Sequence, residues 1–294
     1  SQLPTLLVSR MARNTVKVAL SGDAGDELFG GYNRYILANK YWPYMKLIPF
    51  SIRSNIAKIL KKIPKRNLSS FINILPMIPL SGSSENRLDK ILTKMEMITD
   101  RESFYKSLTS EWIDRDNILN FSKERIEDDH LDAFTDHDLS LEEAMMRSDF
   151  ETYLPDDILC KVDRSSMFYS LETRAPFLNK ELIEYSYNLP LKYKIRNGEG
   201  KWILKRILAK YLPKDLYQRP KQGFGIPVSK WMRKELKDWV NDLLSEEMLN
   251  SHNLFNKSVV NKIKQEHFAG IANHEHKLWS LLQFNQWYRS NENI

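Results

Sequence analysis

An α/β fold that is predominantly helical is what this sequence predicts, and three observations predict it. Thr15-Val-Lys-Val-Ala-Leu20 is an apolar, β-branched run that reads as a buried strand opening into a loop at Ser21-Gly22. Upstream, Leu3–Arg13 places Leu3, Leu6, Leu7 and Met11 on one helical face. After residue 30 the apolar spacing is almost entirely helical. Helix, strand, loop and helix in that order form the repeat unit of a parallel sheet. One parallel strand makes no sheet by itself, so most sheet strands are expected to be missing here, in an absent segment or another molecule.

Composition narrows the class. The 294 residues are 42% hydrophobic and 11% aromatic, enough for one large or two modest globular domains. Phe71–Leu80 is the longest apolar stretch, and Pro76 and Pro79 break it well short of a bilayer span. No secretory apolar region follows the N-terminus, so no membrane partner is expected. The single cysteine, Cys160, permits no internal disulfide, which fits a cytoplasmic protein. Net charge is +6. It concentrates at Arg53, Lys58, Lys61, Lys62, Lys65 and Arg66, interleaved with Ile52, Ile56, Ile59 and Leu60. That segment reads as a basic amphipathic helix with a solvated face, ending near Pro64. No nucleic-acid motif accompanies it, so nucleic acid is not an expected partner.

The chemistry concentrates just after the strand, in Leu20-Ser-Gly-Asp-Ala-Gly-Asp-Glu-Leu-Phe-Gly-Gly-Tyr32. In open α/β sheets ligands sit at the carboxyl ends of the strands, where this loop falls. Its backbone amides suit a phosphate and its carboxylates a hard cation. A plainer reading makes Asp23 a helix cap, Asp26 and Glu27 first-turn acids, and Gly30-Gly31 a helix C-terminus. A cap needs one acid, not three, and no Ser-Gly before it.

Three further blocks follow in order. They are Tyr153-Leu-Pro-Asp-Asp-Ile-Leu-Cys-Lys-Val-Asp-Arg-Ser-Ser-Met167, Leu171-Glu-Thr-Arg-Ala-Pro-Phe-Leu178 and Arg219-Pro-Lys-Gln-Gly-Phe-Gly-Ile-Pro227. Together with the first string they resemble the glutamine-dependent asparagine synthetases and their β-lactam synthetase relatives. The resemblance covers nearly the whole chain, 1–294. It implies the C-terminal portion of an adenine-nucleotide α-hydrolase-like (ATP pyrophosphatase) domain. It also implies ATP and Mg²⁺ as cofactors and a small carboxylate, most commonly aspartate, as substrate. By position it implies nucleotide contacts at Ser21 and Gly22, and catalytic roles for Asp23 and Lys221. Asp23 stands where these synthetases usually carry the longer Glu. Metal ligation falls to Asp26 and Glu27, and the acid substrate to Lys161, Asp163, Arg164, Glu172 and Arg174.

Two parts of the family pattern lie outside the sequence: an N-terminal cysteine nucleophile and a Ser-Gly-Gly-x-Asp-Ser pyrophosphate loop. Ser81-Gly-Ser-Ser-Glu85 lacks the second Gly and the Asp, and follows no strand. The resemblance therefore implies that ammonia comes from a glutaminase domain elsewhere, and that this piece alone is inactive. A homodimer, and a non-catalytic role in binding a partner chain, stay open.

The rest is helical. Ser140 with Glu143 makes a capping box. Pro155 opens a helix on which Lys161 and Arg164, three apart, share a face; they suit an acidic ligand or a salt bridge such as Asp157–Lys161. Glu172 and Arg174 lie in an extended stretch and either pair or order the wall. Asn179 caps a helix to about Asn188, Asn197-Gly198 marks a turn, and Lys201–Tyr211 is amphipathic. Ser229–Leu244, Lys257–Phe268 and Glu275–Tyr288 complete the chain as helices. His274 and His276, two apart, point to different helical faces and are not read as a metal pair.

Overall fold

The computed structural model describes residues 2–62, 92–112, 115–121, 129–218 and 225–291. The chain divides into two units: residues 1–108 with 128–225, and residues 109–127 with 226–294.

The first unit opens with helix Gln2–Arg13, which has Pro4 in its first turn and Arg10 and Arg13 in its last, where each end favours them. Strand β1, Val18–Leu20, follows. Its partner lies in this chain: β2, Glu172–Arg174, pairs with it in parallel, Leu20 opposite Arg174. The expectation of a buried strand whose partners are all elsewhere is thus corrected. β1 is exposed at Val18 (40%) and Leu20 (74%), and the segment read only as extended supplies a second strand. Helix Cys160–Met167 packs on both Gln2–Arg13 and β2, closing a small α/β layer around the pair.

The core of this unit is helical. Tyr35, Ala38, Phe104, Ala144 and Met145, all at most 1% exposed, join helices Asn33–Met45, Arg101–Thr109 and Leu141–Glu151. Leu141–Glu151 is fixed at its start by the anticipated capping box: Ser140 Oγ accepts from Glu143 N–H, and Glu143 accepts from Ser140 N–H. Asp149 of this helix is fully buried. Arg34 Nε at 2.7 Å, Tyr105 Oη at 2.6 Å and the Tyr35 hydroxyl all donate to its carboxylate. Three donors compensate the loss of water that a buried carboxylate suffers.

Helix Phe50–Lys62 departs from the reading of its charges. Arg53 is 5% exposed and its Nη2 donates to the Ile98 carbonyl at 2.8 Å, while Lys61 pairs with Glu96 at 2.6 Å. Two of the six cations are therefore bound to protein groups. Lys65 and Arg66 lie outside the described residues, as do Ser81–Glu85 and Lys221.

In the second unit, Met232, Val240, Leu243, Leu249, Val260, Leu278 and Leu282 form a separate core, each at most 1% exposed. Lys257–Phe268 is found as read, and the last helix runs Glu275–Asn291. The single helix read over Ser229–Leu244 is two, Val228–Arg233 and Lys237–Leu243. The break turns on Trp231, whose carbonyl accepts from both Lys234 and Leu236. His267 is fully buried. Its Nδ1 accepts from His274 N–H at 3.1 Å, and its Nε2 faces the Ser229 backbone without a well-formed hydrogen bond among the described residues. Among the described residues no helix is long and apolar enough to cross a membrane.

Burial, and then the charge of Arg233, hold the His267 imidazole below its usual value. The unfolded chain then binds the extra proton more tightly than the native one. Stability from this site is full above pH 6.5 and is lost as pH falls through 6.5 toward the native value, at up to about 1.4 kcal/mol per pH unit. Thermal melts between pH 7.5 and 5 are expected to show the second unit losing stability along this slope, and His267→Gln is expected to flatten it.

Candidate functional site

The signature string leaves the carboxyl end of β1 and turns at once. Ser21 N–H donates to the Arg174 carbonyl at 2.8 Å, tying the loop to the end of β2. Because the strands are parallel, both carboxyl ends face the same way, and the loop sits where open α/β sheets bind ligands. Gly22 is exposed, and Ser21 and Asp23 are partly exposed. The Asp23 carboxylate makes no hydrogen bond or ion pair among the described residues.

Helix Gly25–Phe29 follows, and Asp23 is not its cap. That place belongs to Ala24, in the left-handed region at φ 68° with no side-chain cap. A left-handed alanine is uncommon, and such strain concentrates at functional turns. Gly30 ends the helix at φ 67°, and Gly31 N–H returns to the Asp26 carbonyl at 2.8 Å. Gly30-Gly31 is thus a helix C-terminus, as the plainer reading had it.

Asp26 and Glu27 diverge by the roughly 100° per residue of an α-helix. Asp26 is partly exposed and pairs with Lys201 Nζ at 3.2 Å. Glu27 is 2% exposed and accepts from Tyr32 Oη at 2.7 Å. Burial pushes its carboxyl above the usual range, against the opposing hydrogen bond from Tyr32.

Lys201 is the site residue the sequence reading passed over, taking it only as a helix start. Its N–H donates to the Phe29 carbonyl at 2.9 Å, its ammonium meets Asp26, and its backbone is left-handed at φ 55°. The turn Asn197-Gly198 delivers it: both residues have positive φ, and Arg196 and Glu199 exchange backbone hydrogen bonds at 2.9 Å. Gly200 then passes so close that a Cβ there would stand 2.1 Å from the Gly30 carbonyl oxygen.

The proposed substrate wall is built from Cys160–Met167 and β2. Lys161 is mostly buried and lies 3.8 Å from Asp157, the salt bridge anticipated as one alternative. Asp163 and Arg164 are exposed, and neither side chain has a hydrogen bond or ion pair among the described residues. Glu172 and Arg174, on one face of β2, pair with each other at 2.8 Å in solvent. The second block also touches the first: Arg34 lies over the rings of Tyr32 (4.2 Å) and Tyr153 (5.0 Å).

No group of three or more His, Cys, Asp or Glu able to hold a metal occurs among the described residues. His274 instead pairs with Glu266 at 2.7 Å. Mg²⁺ takes one or two protein carboxylates and completes its shell with phosphate and water, so the partly exposed Asp26, now paired with Lys201, is a residue that would hold it.

A strand-end loop, a short glycine-bounded acidic helix and a wall of charged side chains thus lie in one predominantly helical α/β unit. The profile of the asparagine synthase family matches residues 1–289, and the chain belongs to that family. It is 26% identical over 291 residues to asparagine synthetase (glutamine-hydrolyzing) 1 of Bacillus subtilis, covering 98% of this chain and 43% of that protein. To a putative asparagine synthetase (glutamine-hydrolyzing) of Mycobacterium tuberculosis it is 29% identical over 292 residues, 97% of this chain and 41% of that protein. An asparagine synthetase of Lotus japonicus is 35% identical over 104 residues, 32% of this chain and 18% of that one. The chain spans less than half the length of these relatives.

Gly200→Ala is expected to destabilise the first unit by about 1–3 kcal/mol, because the added methyl meets backbone and has no side chain to displace. Chemical denaturation checks this, with far-ultraviolet dichroism expected to retain the helical signal.

Proposed function

We propose that this chain supplies the carboxylate-activating, amide-forming part of an ATP-dependent ligase, with aspartate as the acid and asparagine as the product. The observation that carries this reading is the loop at the carboxyl ends of the parallel pair, with the Asp23 carboxylate unpartnered and Asp26 set beside Lys201. Ser21 and Gly22 bind the nucleotide, Gly22 being exposed and Ser21 partly so. Asp26 holds Mg²⁺, and the burial of Glu27 against Tyr32 leaves that residue a supporting part. When bound, Mg²⁺ spreads the charge of the phosphates.

The substrate's side-chain carboxylate attacks the α-phosphorus of ATP and pyrophosphate leaves. Ammonia then attacks the acyl carbon and AMP leaves. Asp23 orients or takes a proton at this centre, and Lys221 reaches phosphate and the reacting carboxylate. Lys161, Arg164 and Arg174 receive the substrate's carboxylates, while Asp163 and Glu172 order those cations or meet its amine. Glutamine, hydrolysed in another domain, is the proposed ammonia source, as the names of the relatives state for those proteins. Among the described residues β1 pairs only with β2, which leaves its other edge for further strands from the same chain or a partner chain, and the exposed Val18 and Leu20 leave its face for a covering layer. Such a segment brings the pyrophosphate loop, and the proposed setting is the cytoplasm.

The test is aspartate-dependent ATP–pyrophosphate exchange, with this chain joined to a family segment bearing the Ser-Gly-Gly-x-Asp-Ser loop. Asp23→Ala and Asp26→Asn are each expected to lower exchange at least about 100-fold, the scale of losing one preorganised electrostatic group. Exchange left intact by both substitutions contradicts the reading.

A further inference from the structure

Beneath the signature helix lies a cleft of about 230 Å³. Glu27 and Leu28 line it from that helix, Glu143, Met146 and Arg147 from Leu141–Glu151, and Lys194 closes it from helix Leu191–Lys194. None of the nucleotide- or substrate-handling residues assigned above faces it, apart from the supporting Glu27.

Lys194 is the unusual member. It is 4% exposed, and its ammonium makes no hydrogen bond or ion pair with any described residue. Lys194 lines the cleft and its Nζ is not among the fully enclosed side-chain atoms, so the ammonium is open there to a partner. Glu143 attracts it electrostatically without meeting it: Glu143 Oε2 takes the Ser140 amide (2.9 Å) and hydroxyl (2.7 Å), and no ion pair joins Glu143 to Lys194 among the described residues. Burial, only partly offset by Glu143, holds the Lys194 amine below its usual value. Arg147 stands partly exposed, spending its Nε on Glu151 at 2.9 Å; its two terminal nitrogens have no hydrogen bond among the described residues.

The cleft thus offers unspent donors over an apolar floor. A small inorganic oxyanion would leave Leu28 and Met146 uncovered. The volume falls below the roughly 300–1,000 Å³ of clefts that take drug-sized ligands. We propose that this cleft is a binding site for a small organic carboxylate of amino-acid size, its carboxylate on Lys194 with Arg147 as second cation and its carbon chain on Leu28 and Met146. The site is separate from the one that takes the ligase substrate, so its occupant reaches the signature helix from behind, through Glu27 and Leu28.

Isothermal titration of the full chain with sodium butyrate, and separately with inorganic phosphate, tests this without ATP. Butyrate is expected to bind with one-to-one stoichiometry. Lys194→Met is expected to weaken it at least about tenfold, the worth of a charge-assisted hydrogen bond. Arg147→Gln, at a partly exposed position that tolerates change, is expected to weaken it severalfold, so the proposal stays testable even if Lys194→Met does not fold. Arg164→Gln, at an exposed position outside the cleft, is expected to leave it unchanged, which separates this site from the wall that takes the ligase substrate's carboxylates. Absence of butyrate binding, butyrate binding untouched by Arg147→Gln, loss of it in Arg164→Gln, or binding of phosphate alone would each overturn the proposal.

Discussion

The first unit's site depends on one close approach, the passage of Gly200-Lys201 over the C-terminus of the helix Gly25–Phe29. Only a glycine fits where Gly200 faces the Gly30 carbonyl, and only a residue in the left-handed region turns there to place its N–H on Phe29. With that contact made, the Lys201 ammonium reaches Asp26, and Gly31 has no room for a side chain beside either group. The short helix is held at its exit by this crossing and at its entry by the tie from Ser21 to β2. A five-residue helix has little stability of its own, so tertiary contacts fix its direction. That direction decides that Asp26 meets Lys201 beside Gly31 and that Glu27 turns into the cleft.

Much of the local structure is legible in the sequence because its signals are local. The Ser140–Glu143 box, the Asn179 cap and the Asn197-Gly198 turn each depend on residues within a few positions, and each forms as read. The strand β2 is different. Glu172-Thr-Arg174 has one β-branched residue between two charges, and it becomes a strand because Val18–Leu20 pairs with it from far away in sequence. Arg53 misleads in the same way. Charge spacing puts it on a solvated face, whereas the Ile98 carbonyl draws it inside. Asp149 gives no sequence sign of its burial, since Arg34, Tyr35 and Tyr105 approach it from other helices.

The site shows the same division. The four blocks announce the family and the loop, and the fold brings Ser21 to Arg174 and Tyr32 to Tyr153. The sequence treats Asp26 and Glu27 as equals, because adjacency hides the rotation between them. Burial separates them: one carboxylate stays accessible beside a lysine, the other is enclosed with a tyrosine hydroxyl. Lys201 escapes notice because its value lies in a backbone conformation and a long-range ion pair, neither of which has a sequence signature.

We propose that Asp26, oriented by Lys201, is the carboxylate that would hold Mg²⁺. The most direct measurement compares ATP affinity with and without Mg²⁺ by equilibrium dialysis, in this chain joined to the loop-bearing segment, unaltered and with Asp26→Asn or Glu27→Gln. Mg²⁺ is expected to strengthen ATP binding at least about tenfold in the unaltered protein and in Glu27→Gln, and Asp26→Asn to abolish this gain. A Mg²⁺ gain that survives in Asp26→Asn and disappears in Glu27→Gln would contradict it.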